Sequence, residues 1–153
     1  MITQRMLLDA LNDITAQCFP KRTTYRDAWP EQFVRPSIFL VAEPRVEIGG
    51  NRHLIEYKQV LAAQLNDTVD AHYEADTDRL CDETDQLMEM LSQGYLPVSD
   101  RALHIDAIET EREGTASLVK ITLHWFDDRP QHSTTYPMMK ELNLETEIQE
   151  GGV

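Results

Sequence analysis

The side chains with which this chain of 153 residues could do chemistry are its five histidines, two cysteines and 27 acids. Alternation along two predicted strands puts His104 and Asp106 on one sheet face and His124 on the same face. Two imidazoles and a carboxylate are donors a transition metal accepts. The ordinary reading of these residues is two half-exposed strand histidines beside an Asp106–Lys120 pair, and it is the one adopted. His53, His72 and His132 add no pair at the i,i+4 spacing of a helical zinc site, and no paired-cysteine motif exists. Ser37, Ser92, Ser99, Ser117 and Ser133 sit in no nucleophile-elbow pattern. Gly49-Gly50 lacks the further glycines and the lysine of a phosphate loop. Carboxylate pairs are frequent because acids are frequent, so their spacing carries little. The expectation is no enzyme, no cofactor and no catalytic metal. Cys18 and Cys81 each fall on the apolar face of a predicted helix and read as buried free thiols.

One basic concentration stands out: Lys21, Arg22, Arg26 and Arg35 around Tyr25 and Trp29. Arginine interleaved with aromatics suits stacking on nucleic acid and equally suits a protein interface. The commonest case is loop charge over partly buried aromatics. The charge of the whole chain argues against nucleic acid. Net charge is −13, and residues 61–153 hold six Lys/Arg against twenty Asp/Glu, whereas residues 1–60 are nearly balanced. A broad phosphate-binding surface is excluded by that surplus. An acidic part beside a mildly basic one suits docking to a complementary protein surface, and also simply keeps a protein dissolved.

The length fits one domain with a self-standing core. No apolar run approaches the ~20 residues that span a bilayer. No basic region followed by an apolar stretch and cleavage site opens the chain, so we expect it to stay in the cytosol where it is made.

These side chains must be positioned by a mixed set of elements. Met6, Leu7, Ala10, Leu11, Ile14 and Cys18 form one helical stripe, predicting a helix over residues 3–17 that ends at Phe19-Pro20. Residues 23–27 read as a short strand. Arg35-Pro36 opens the unbroken apolar run Ser37-Ile38-Phe39-Leu40-Val41-Ala42, the mark of a strand buried on both faces. That strand is extended to residue 47, with Pro44 at an edge or bulge. Residues 48–51 read as a turn. Residues 53–63 fit a strand or a short helix. Leu65, Val69, Ala71 and Tyr73 share one parity, predicting a half-buried strand over residues 64–74. Asp76-Thr77-Asp78 caps a second helix over residues 78–93, lined by Leu80, Cys81, Thr84, Leu87, Met88 and Leu91 and stopped by Gly94. Residues 102–111 and 115–126 read as a hairpin around Arg112-Glu113-Gly114. Matching Leu103, Ile105 and Ala107 to Leu123, Ile121 and Val119 sets Asp106 opposite Lys120 and His104 opposite Thr122. The expected fold is a single two-layer α+β domain over residues 1–128, a mostly antiparallel sheet with two main helices packed on one face. A polar tail follows over residues 129–153, with a possible short helix or docking peptide at residues 136–142.

Several segments, in order, resemble the small tail terminator proteins of long-tailed phages, especially those of Gram-positive hosts and their prophages. The first helix closes on Cys18-Phe19-Pro20. Gln32-Phe33-Val34-Arg35-Pro36-Ser37-Ile38-Phe39 resembles the family's glutamine–aromatic–proline lead into the central strand. Val69-Asp70-Ala71-His72-Tyr73 resembles the strand ending in tyrosine before the second helix. Val119-Lys120-Ile121-Thr122-Leu123-His124-Trp125 resembles the last sheet strand, and Met138-Met139-Lys140-Glu141-Leu142 a methionine-bearing segment near the C-terminus. Two features depart from the pattern: residues 53–65 are longer than the usual hairpin connection, and Ile38 stands where the family often has a smaller residue.

The resemblance implies a mechanism without chemistry. Such proteins assemble as a ring, usually hexameric, on the last tail-tube ring, stop its polymerisation and present the surface that joins the head. The implied partners are further copies of the chain, the tail tube protein and a head-completion or stopper protein. The implied location is the head–tail junction of a virion, after synthesis in the host cytoplasm. No nucleic acid and no membrane is expected as a partner. The residues expected at the interface are Tyr25, Arg26, Trp29, Arg35, Met138 and Met139. Two alternatives stay open: a head-completion or other phage neck protein, and a non-phage protein-binding adaptor.

Overall fold

Two capped helices open and punctuate the chain. The hydroxyl of Thr3 accepts the Met6 N–H at 3.2 Å and starts α1, Gln4–Cys18. The Asp76 carboxylate accepts the Asp78 and Arg79 N–H groups and starts α2, Thr77–Leu91. Each cap satisfies backbone donors that the first turn leaves without partners. Most of each stripe predicted from spacing is buried: Leu7, Ala10, Leu11 and Cys18 on α1, joined by Leu8, and Leu80, Thr84, Leu87 and Leu91 on α2, while Met6, Ile14 and Met88 are half-buried. Cys81 is the exception. It is exposed, where the sequence predicts burial, because it lies at the margin of the stripe. Gly94, at φ +87°, turns the chain out of the helix. This computed structural model describes residues 1–28 and 30–131. Trp29, Met138, Met139, His132 and the predicted short helix at residues 136–142 lie outside the described residues.

Among the described residues seven strands form one sheet: β1 Thr23–Arg26, β2 Ser37–Ala42, β3 Val46–Gly49, β4 Leu54–Asn66, β5 Tyr95–Val98, β6 Arg101–Glu113 and β7 Ala116–Asp128. The spatial order is β1-β2-β4-β7-β6-β5, with β3 also paired to β4. Only β1 and β2 run parallel. Ser37 to Leu40 are buried on both faces between β1 and β4, the interior position that an unbroken apolar run requires. β2 and β3 share one edge of β4, and exposed Pro44 lies in the break between them. On one face Ile38, Leu40, Leu61, Leu65, Val119, Ile121, Leu123, Leu103 and Leu96 join Leu7, Leu11, Leu87 and Leu91 in a single core. Both helices therefore cover the same face. The fold is a two-layer α+β domain with a curled, mostly antiparallel sheet.

Of the two readings left open for residues 53–63, strand holds from residue 54 onward, within the long β4. Other local expectations are corrected. The strand expected over residues 64–74 ends at Asn66, and the rest is a loop closed by one bridge between Val69 and Ala75. The Asp70 carboxylate binds the His72 and Glu74 N–H groups, and Tyr73 takes φ +64°, so the alternating apolar residues belong to a turn. The stretch compared above with the family's tyrosine-ending strand is thus not a strand here. Finally, the hairpin loop holds two residues, Gly114 and Thr115, with Glu113 paired to Ala116. Gly114 does have positive φ, +56°. The predicted register fails at the turn, where Glu113 pairs with Ala116 and Glu111 with Leu118, and Asp106 adds a β-bulge: Ile105 pairs with Leu123, but Ala107 pairs with Thr122. Lys120 faces Glu109, and His104 faces His124. The bulge is required by the core, since Ile105 and Ile108, three residues apart, both turn to the helix side.

Candidate interaction surface and the histidine–aspartate cluster

The sheet face opposite the helices is built from the even-numbered residues of β4 and β7 and their cross-strand partners. Register aligns two rows across it. One runs Ile48, Glu56, Phe126. The next runs Val46, Lys58, His124, His104, Tyr95, crossing five strands. Val46, Ile48, Tyr95 and Phe126 are exposed, Phe126 by 47%. Large apolar side chains held on rigid strands among charged ones have the composition of a contact surface.

His104 and His124 stand directly opposite, and Asp106 lies between them. Its Oδ1 is 2.9 Å from Nδ1 of His104 and 2.6 Å from Nδ1 of His124. The imidazole centroids are 5.8 Å apart and tilted edge to face. Phe126 lies edge-on to His124 at 6.3 Å. Partial burial alone would raise the Asp106 pKa, but the two histidine hydrogen bonds and charges outweigh it and hold it below the usual carboxylate value. The expectation of two half-exposed strand histidines, set diagonally, beside an Asp106–Lys120 pair rested on the wrong register. The phase slip from Ile105 to Ile108 is the signal that would have revealed the bulge.

The basic-aromatic segment is used largely within the chain. Arg22 is almost fully buried, bonded to Glu83 and 3.9 Å from buried Asp67. Arg79 approaches the other Asp67 oxygen at 3.4 Å. Arg26 pairs with Asp9 of α1 at 2.5 Å. The Tyr25 hydroxyl accepts the Val34 N–H at 3.0 Å. Arg35 donates to the Asp67 carbonyl at 3.1 Å and lies over the rings of Phe33 and Tyr73. What remains outward here is Val34 and Tyr73, the latter 69% exposed. These two form a second apolar spot beside the end of β4 at Asn66. The first surface lies at the Leu54 end, roughly 30 Å away for a strand of this length. Sequence reasoning missed Tyr73, Tyr95 and Phe126, whose exposure depends on a turn and a register that composition does not reveal.

Among the described residues the clefts are open grooves, such as the one between α2 and β6 lined by Cys81, Asp85, Thr110, Glu111 and Arg112. Arg112 donates to the Cys81 sulfur at 3.1 Å. Cys18 is buried, and burial pushes its thiol pKa up, away from reactivity. No helix of the described residues is long and apolar enough to cross a membrane. No protein-family model matches the chain, and no curated protein matches it.

Proposed function

We propose that this protein is a ring-forming structural component of a phage tail, a tail terminator that caps the tube and presents the head-joining surface. The observation that carries the proposal is exposed apolar side chains at two separated places: Val46, Ile48 and Phe126 beside the Leu54 end of β4, with Tyr95 further along the row on edge strand β5, and Val34 and Tyr73 beside the Asn66 end. A ring is closed by heterologous contacts, in which each subunit offers two different surfaces. A rigid sheet that holds those surfaces far apart meets that need. The ordered resemblance of the first helix, the buried strand and the last strand to tail terminators supports the same reading. So does the acidic charge of the chain, since it disfavours nucleic acid as the partner. Tyr25, which binds the Val34 N–H, and Arg35, which lies over Tyr73, act in this reading mainly as supports for Val34 and Tyr73, and Arg26 is held by Asp9 of α1.

The test is complementation in the parent phage. Tyr95→Ala with Phe126→Ala removes the two aromatics of the first surface, and Val34→Ala with Tyr73→Ala both large apolar side chains of the second. Each pair is expected to abolish head–tail joining while the purified variant keeps its circular dichroism and melting temperature. Normal titres from both variants would overturn the proposal.

A further inference from the structure

We propose that His104, Asp106 and His124 form a binding site for one divalent transition-metal ion of the zinc class, held by two imidazole nitrogens and a carboxylate oxygen. The site is independent of the ring proposal. Its first support is convergence: one donor atom from each residue lies within 4.8 Å of the other two. Its second is the backbone that produces the convergence. Cross-strand pairing sets the histidines opposite each other, and the bulge frees Asp106 from pairing. Both imidazoles direct Nδ1 at one Oδ1. An ion about 2.0–2.1 Å from three such donors, in tetrahedral array, needs them roughly 3.3 Å apart. Exposed side chains reach that spacing from 2.9 and 2.6 Å by small torsional changes.

The donor set also selects the ion. Two imidazoles and one carboxylate suit zinc, nickel or copper, and not magnesium or calcium, which require more oxygens. His104 and Asp106 are exposed and His124 is half-buried, so water can reach the remaining positions. Lys58, paired to His124 across β4, is the one cation in the same row. A neutral imidazole pair plus a carboxylate offsets part of the ion's charge, and the net charge of −13 favours the cation overall.

Untagged protein titrated with Zn²⁺ by calorimetry, in a buffer that does not chelate, tests this. One equivalent is expected to bind with a micromolar dissociation constant. Asp106→Asn and His124→Ala each remove a ligand and should weaken it by more than ~10-fold, since even loss of a group that only orients a ligand costs that much. His53→Ala, His132→Ala and Cys81→Ser should leave it unchanged. Co²⁺ should give visible absorption bands that vanish in the His104→Ala variant, whose melting temperature without metal stays near that of the parent. Absence of binding at millimolar Zn²⁺ would overturn the proposal. So would binding that survives His104→Ala with His124→Ala.

Discussion

At the scale of single residues, polar side chains that look unremarkable in the sequence tie the fold together. Asp127 is nearly buried, and its carboxylate accepts the Ile2 N–H at 3.0 Å and the Trp125 indole N–H at 3.1 Å. Arg101 donates to its other oxygen at 2.5 Å. Burial would raise its pKa, but these hydrogen bonds and the Arg101 charge outweigh it and hold it below the ordinary value. Nearby, the Arg45 guanidinium lies over the rings of Tyr57 and Trp125 and donates to the Ile2 carbonyl, so one polar node fixes the start of the chain. A depressed carboxylate pKa contributes stability that is present above the unfolded-state value, about 3.9, and is lost as pH falls through the folded-state value. Asp127→Asn is therefore expected to lower stability at pH 7 by about 2 kcal/mol and to shrink the loss of stability between neutral and strongly acid pH. Urea melts across pH check this. An unchanged pH profile would show that the carboxylate is not the titrating group. No spacing rule points to this node, because Ile2 and Asp127 lie at the two ends of the described chain.

At the scale of elements, legibility follows how local the determining pattern is. Both helices are readable because a 3.6-residue stripe and a cap, Thr3 or Asp76, lie within a few residues of each other. The buried strand Ser37–Ala42 is readable because its apolar run is unbroken. The loop after Asn66 is not, because its alternating residues imitate a strand while Asp70 bonds the backbone into a turn. β5 was not anticipated at all. It is four residues long, and Pro97 within it is tolerated only because the strand is an edge. The histidine cluster was half legible. Parity places the three residues on one face, but pairing His104 with His124 depends on a bulge imposed by Ile108, which lies out of phase with Ile105. The hairpin tip offers a clean test of local geometry. Gly114 has φ +56°, and a side chain there would meet open space, so only backbone strain opposes substitution. Gly114→Ala should cost about 1 kcal/mol. Chemical denaturation measures it, and no loss of stability would contradict the left-handed conformation.

At the scale of the whole molecule, the design is asymmetric: helices bury one sheet face, and the other is left to charged, imidazole and aromatic side chains held by seven strands. The acid surplus lies in the later part of the chain, and most arginines of the earlier part are engaged with acids or carbonyls of the same molecule. The surfaces left for partners are thus apolar spots in an acidic surround, which suits complementary protein surfaces better than phosphate. Under the proposed function, these side chains build a cap on a tail tube. Electron microscopy of lysates from the parent phage with this gene deleted tests it most directly. The account predicts tail tubes of irregular, excessive length lying free of filled heads, with normal length and joining restored by the intact gene supplied in trans. Tails of uniform normal length joined to heads in the deletion would contradict it.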